Sequence, residues 1–148
     1  MNEPTPFLNT PERTENVRRG FHELQFENTF VSQLPGDPVL HNVPRQVRHA
    51  SYTRVDPTAV RAPQLLAWSD AVGEILGVAR PSSPTGLEAQ VLGGNKVLAG
   101  MRPYAARYGG HQFGHWAGQL GDGRAITLAE VIGVDRKRYE LQLKGAGP

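Results

Sequence analysis

The sequence contains no cysteine. That excludes disulfides, thiolate metal sites and cysteine nucleophiles from its 148 residues. It is also without an apolar run of signal-peptide length. Met1 to Arg19 carries Glu3, Glu12 and Glu15 among prolines and threonines, so neither a secretory leader nor a membrane span is expected. Those acidic residues also argue against an arginine-rich transit peptide. The expected compartment is the cytoplasm. An excess of charge of one sign is missing too. Sixteen Lys and Arg against fourteen Asp and Glu leave a formal charge of +2. The pI is near 9.2, yet no stretch gathers the basic residues into the stripe that a nucleic-acid backbone needs. Neither nucleic acid nor a membrane is an expected partner.

What the chain has in quantity is glycine and proline, 17 and 12 residues, which predicts many loops. At 39% hydrophobic and 20% charged residues it reads as one globular unit with a single core, a size that buries roughly two-thirds of the unfolded surface. Residues 1–20 have no periodicity and are expected to be a disordered tail, leaving 21–148 as the folded part. From Phe21 to Pro57, apolar residues scattered between Pro35, Gly36, Pro38 and Pro44 predict an extended, wrapping segment with one short strand near Ser51 to Val55. Leu65, Trp68, Val72, Ile75 and Leu76 recur at three- and four-residue steps, which predicts a helix from Ala62 or Pro63 to Leu76. Pro63 suits its first turn and Gly77 its left-handed end. Trp68 is then a core residue. A second helix is expected over Pro84 to Leu92, ended by Gly93 and Gly94.

The last forty residues differ in character. Six glycines, at 109, 110, 114, 118, 121 and 123, are interleaved with His111, Phe113, His115 and Trp116, a density that marks backbone made to bend or approach something closely. Arg124 to Ile132 and Tyr139 to Lys144 flank a polar turn and predict a β-hairpin. On its second strand Tyr139, Leu141 and Leu143 share one face, while Glu140, Gln142 and Lys144 share the other. With the turn centred on Asp135 and Arg136, Lys144 falls opposite about Thr127, roughly 10 Å from the glycine turn.

A glycine-rich turn feeding a strand, with a lysine returning beside it, is a device for holding polyphosphate. Backbone N–H groups approach phosphate oxygens and the lysine neutralises charge. Arg124, after Gly121-Asp122-Gly123, adds a fork of donors. A Walker loop is excluded, because it needs Gly-Lys-Ser or Gly-Lys-Thr opening a helix. A dinucleotide fingerprint also needs a helix after its glycines. What remains is a partial, kinase-like upper lobe, with strand, glycine loop, strand, turn and lysine strand in order. The expected fold class is α+β.

The runs Gly110-His111-Gln112-Phe113-Gly114-His115, Gly118-Gln119-Leu120-Gly121-Asp122-Gly123-Arg124-Ala125-Ile126 and Leu141-Gln142-Leu143-Lys144-Gly145-Ala146-Gly147-Pro148 closely resemble the selenoprotein O family. Weaker similarity reaches back to Phe26-Glu27-Asn28. The resemblance implies a pseudokinase fold, protein-kinase-like in build, that works as a protein adenylyltransferase: ATP bound in a flipped orientation gives AMP to a Ser, Thr or Tyr hydroxyl of a target protein. UTP with manganese is a related possibility that it raises. By the family pattern Gly121, Gly123 and Arg124 line the phosphate loop and Lys144 is the phosphate-binding strand lysine. Family members continue for hundreds of residues, so the catalytic aspartate and the ligands for Mg2+ or Mn2+ are expected beyond Pro148. This fragment alone is expected to be inactive and to expose apolar surface.

Plainer readings exist for each residue. His111 and His115 would face one metal only on a helix, and no third ligand is near in sequence, so they read as packing residues, as does Trp116. Gly121 and Gly123 alone would read as a hairpin turn, Arg124 and Lys144 as solvated charges, and Arg136-Lys137-Arg138 as an exposed turn. The alternative to a nucleotidyltransferase is therefore a noncatalytic module, or a truncated gene product, that only packs against other protein.

Overall fold

The computed structural model describes residues 18–41, 43, 45–121 and 123–147. Most of the expected 1–20 tail lies outside them, but residues 18–20 belong to the fold. Arg18 pairs with Glu74 at 2.9 Å, and Arg19 bridges Val78. Among the described residues the chain forms seven strands and three short α-helices, an α+β arrangement of antiparallel sheets.

The strands are β1 (Phe26–Glu27), β2 (Tyr52–Arg54), β3 (Tyr104–Ala106), β4 (Tyr108–Gln112), β5 (His115–Leu120), β6 (Ala125–Ile132) and β7 (Arg138–Lys144). The helices are α1 (Thr29–Gln33), α2 (Asp70–Leu76) and α3 (Leu87–Leu92). β6 is the organising strand. It pairs with β1 and β3 along one edge and β7 along the other, β2 adds on to β3, and β4 and β5 form a separate two-stranded sheet.

Residues Ile126 to Val131 of β6 are all buried, because both faces of the sheet are covered. One face, through Ala129, Val131 and Leu143, meets Phe21, Leu24, Val78, Val91 and Met101. The other carries Tyr104 and Tyr52 beneath Val31 and Phe30, with the Phe30 and Tyr104 rings stacked at 4.9 Å. Alternation along β7 sends Tyr139, Leu141 and Leu143 inward and leaves Glu140, Gln142 and Lys144 exposed, as the period of two requires.

Three sequence expectations change. The helix drawn from residue 62 or 63 begins only at Asp70, after its Ser69 cap. Residues 63–69 have no regular structure; Leu65 N–H bonds to Pro84 O at 2.7 Å and the Trp68 ring lies against Gly73. Its left-handed end at Gly77 stands, at φ 70°, but Val72 and Ile75 are exposed because the buried side of so short a helix is Gly73 with Leu76. The second helix keeps its end at Gly93 and starts at Leu87 rather than Pro84. The wrapping segment after Phe21 holds β1, α1 and a 3-10 turn at Phe21–Glu23 as well as the expected strand.

Candidate functional site

The glycine-dense stretch forms the β4–β5 hairpin, which the sequence pattern did not separate from a loop. Phe113 and Gly114, both at positive φ, make the two-residue turn that such hairpins favour. A bulge near Gly110 and His111 lets the arm twist. Phe113 is fully exposed, and His111 meets the Trp116 ring edge-on at 5.1 Å. His111 and Trp116 thus pack on each other as exposed hairpin residues, and His115 is exposed beside them. Among the described residues no group of three or more His, Cys, Asp or Glu is placed to hold a metal ion.

Leaving β5, the chain turns at Gly121 (φ 110°) and Gly123 (φ 101°) into β6. Both conformations favour glycine. Close packing decides the first of them further: a Cβ on Gly121 would collide with the carbonyl of Ala106. On the far side a Cβ on Gly147 would collide with the carbonyl of Gly123. The turn is thus gripped between β3 and the segment after β7, and a 2.6 Å bond from Gly145 N–H to Arg124 O closes it.

Register then brings the two cations together. The β6–β7 turn is centred on Asp135, half a residue earlier than the sequence spacing suggests, with Gly133 N–H bonded to Lys137 O, which moves each partner by one residue, and a bulge between Thr127 and Ala129 takes up one further residue. Lys144 therefore pairs with Ala125 instead of Thr127, immediately beside Arg124. Both cationic residues line one hollow of about 220 Å3, together with Gly121, Tyr108, Gln112 and Gln142. Gly123 is buried beneath and is not part of the lining. The hollow opens on the sheet face that carries Tyr104 and Thr127, walled by the hairpin on one side. Gln142 is the lining residue the sequence could have given up, since it stands two positions before Lys144. Tyr108 and Gln112 could not be found without the hairpin.

The residues behind the hollow are held by polar contacts. Gln142 Nε2 donates to Thr127 Oγ1 at 3.3 Å, and the Tyr104 hydroxyl donates to Glu140 at 3.1 Å. Burial, with the Glu140 carboxylate next, pushes the Tyr104 phenol far above its ordinary value, so it stays a neutral donor at any ordinary pH.

The family model for protein adenylyltransferase SelO matches residues 40–148. The chain belongs to the SelO family. It is similar to a protein nucleotidyltransferase YdiU of Nitrosospira multiformis, 69% identical over 125 residues, covering 84% of this chain and 22% of the relative. For the YdiU of an Azoarcus species the identity is 58%, with 84% and 24% covered, and for that of Xanthomonas campestris pv. campestris 57%, with the same coverage. The chain thus spans less than a quarter of the length of these relatives. Gly121, Gly123, Arg124 and Lys144 all fall inside the SelO match, as do both strands of the hairpin. No helix among the described residues is long and apolar enough to cross a membrane.

Proposed function

We propose that the hollow takes up the phosphates of ATP, and that this chain is the nucleotide-binding part of a protein adenylyltransferase built on a kinase-like upper lobe. One observation carries the reading: Lys144, at the end of β7, and Arg124, in the turn just before β6, line one hollow. Two cations at that spacing suit a polyphosphate, where a bidentate guanidinium and a compact ammonium share the charge. At about 220 Å3 the hollow is smaller than the roughly 300–1,000 Å3 of a whole-ligand pocket, which suits phosphates better than a complete nucleotide. The order of elements also supports a kinase-like lobe. β3 and β4 run in line, β5 and β6 return beside them, and β7 brings the lysine.

In the reaction a Ser, Thr or Tyr hydroxyl of a target protein attacks the α-phosphorus, the bond from that phosphorus to the bridging oxygen breaks, and pyrophosphate leaves. The hydroxyl proton passes to a base or to solvent. This chain binds and orients the phosphates and offsets their charge, which is most of what phosphoryl chemistry asks of a protein. ATP would bring Mg2+ or Mn2+ with it. The described residues do not fit a resident metal, having no ligand cluster, so no step is derived through one.

The test is nucleotide affinity in the full-length protein, with ATP and UTP compared. Lys144→Ala or Arg124→Ala should each weaken ATP binding about 10- to 100-fold, as for one charge-assisted contact of roughly 1.5–3 kcal/mol, and should abolish the gain of AMP mass on a target. Unchanged affinity in both variants would remove the nucleotide from the hollow. It would leave the noncatalytic module as the better reading.

A further inference from the structure

Among the described residues β4 and β5 pair with each other and with no strand of the main sheet, which the hairpin wall of the hollow meets only at its root. An isolated two-stranded hairpin is marginal in water, so something must fix its angle. Both of its strands are tied to one strap, the segment that carries Asp37, Arg45 and Val47. At the root of β4, Arg107 donates its backbone N–H to Ser51 O at 2.8 Å, and its side chain, only 10% exposed, reaches Asp37 Oδ2 at 3.0 Å and the Thr53 hydroxyl. On β5, Gln119 accepts from Val47 N–H at 3.0 Å and donates to Arg45 O at 3.2 Å.

Arg45 joins the two ties, because its own guanidinium also pairs with Asp37. Asp37 is 2% exposed at its side chain and further accepts from Val39 N–H and the Thr53 hydroxyl. One buried carboxylate therefore serves two arginines whose Nε atoms are buried without a partner. Its loss would leave the two guanidinium groups without the carboxylate they share, Arg107 10% and Arg45 28% exposed, which is costly for the buried one. Arg107 itself stands between Ala106 and Tyr108, both of which line the hollow, and a Cβ added at Gly121 would meet its Cα at 3.0 Å.

We infer that Asp37, through Arg107 and Arg45, is a positioning residue that sets the β4–β5 hairpin over the nucleotide hollow. This rests on the reading of the hollow as a phosphate site, although the mechanical half can be tested without it. Hydrogen exchange is measured on the full-length protein and on Asp37→Asn, with Gln119→Leu cutting the second tie should the first variant fold poorly. Amides of residues 108–120 should exchange about tenfold faster while those of residues 126–131 keep their rates. ATP affinity should fall about fivefold or more, and Asp37→Glu should recover part of both.

Equal acceleration in hairpin and central strand would make Asp37 a residue of general stability and overturn the inference. So would an unchanged hairpin, or a loosened hairpin that still binds ATP as tightly as the parent. If ATP binding instead ignores Lys144→Ala and Arg124→Ala, the nucleotide reading falls by itself, and the exchange pattern still decides whether Asp37 holds the hairpin.

Discussion

The β6–β7 and β4–β5 hairpins are both antiparallel and both interrupted by a bulge, yet they are opposites in what surrounds them. β6 is paired on both edges and covered on both faces, with Ile126, Leu128 and Val131 at 0% exposure. Among the described residues the glycine-rich arm has no strand partner but itself, and it turns Tyr108, Phe113 and Trp116 to solvent. The contrast teaches how the two walls of the hollow are made. Lys144 stands on a strand that hydrophobic burial locks in register. The facing wall has too few side chains to build a core and is held instead by polar ties at its root.

Breaking the comparison begins with the largest effect. Leu128→Ala should lower unfolding free energy by about 2–5 kcal/mol, the usual cost of a cavity in a packed core. Phe113→Ala, at the tip of the arm, should stay within about 0.5 kcal/mol. Urea denaturation followed by far-UV circular dichroism measures both. A comparable loss from Phe113→Ala would mean that the arm is covered in solution, and the asymmetry would disappear.

The same contrast explains how much could be read from the sequence. The β6–β7 hairpin was legible because burial on one side of β7 imposes a period of two, visible as Tyr139, Leu141 and Leu143. The lysine's face followed from that, but not its partner, since a one-residue bulge leaves no mark in hydrophobic spacing. The arm was illegible as strands because glycine and exposed aromatics carry no alternation. Helix α2 was overdrawn for a related reason. Leu65 and Trp68 have helical spacing, yet the Leu65 amide is bonded to Pro84 O and the Trp68 ring lies against Gly73. Asp37 gave no signal, because its partners Thr53 and Arg107 lie 16 and 70 residues away.

Glycine positions sharpen the comparison at an intermediate size. Gly121 and Gly114 both have positive φ, but only Gly121 has a backbone carbonyl where a Cβ would go, whereas around Gly114 the space is open. Gly114→Ala should cost about 1 kcal/mol from conformation alone. Gly121→Ala adds a collision that must move backbone, bringing the total to about 2–4 kcal/mol, and should weaken ATP binding by shifting Arg124. Thermal melts of the two variants side by side separate these cases. Equal costs would show that the turn between the arm and β6 is looser than its packing implies.

The smallest effect is a pH dependence carried by a carboxylate on β6. Residues 108–120 contain no Asp or Glu, so the arm carries no carboxylate of its own. On β6, Glu130 is 5% exposed and accepts from the Thr29 hydroxyl and, at 2.8 Å, from Phe30 N–H, latching α1 onto the sheet. Burial pushes its carboxyl upward, but those hydrogen bonds and the Arg138 charge outweigh it and hold the group below its ordinary 4.5. A carboxylate depressed in the folded state contributes stability that is complete above 4.5 and is lost as pH falls through the folded value. Glu130→Gln should therefore flatten the urea midpoint between about pH 5 and pH 3. The remaining acid slope would come in part from Asp37, where burial is outweighed by the Val39 amide, Thr53 and Arg45, so that its carboxyl too lies below the ordinary 3.8. An identical slope in Glu130→Gln and the parent would mean that α1 is not latched through this carboxylate, and that packing of Phe30 against Tyr104 alone covers that face of β6.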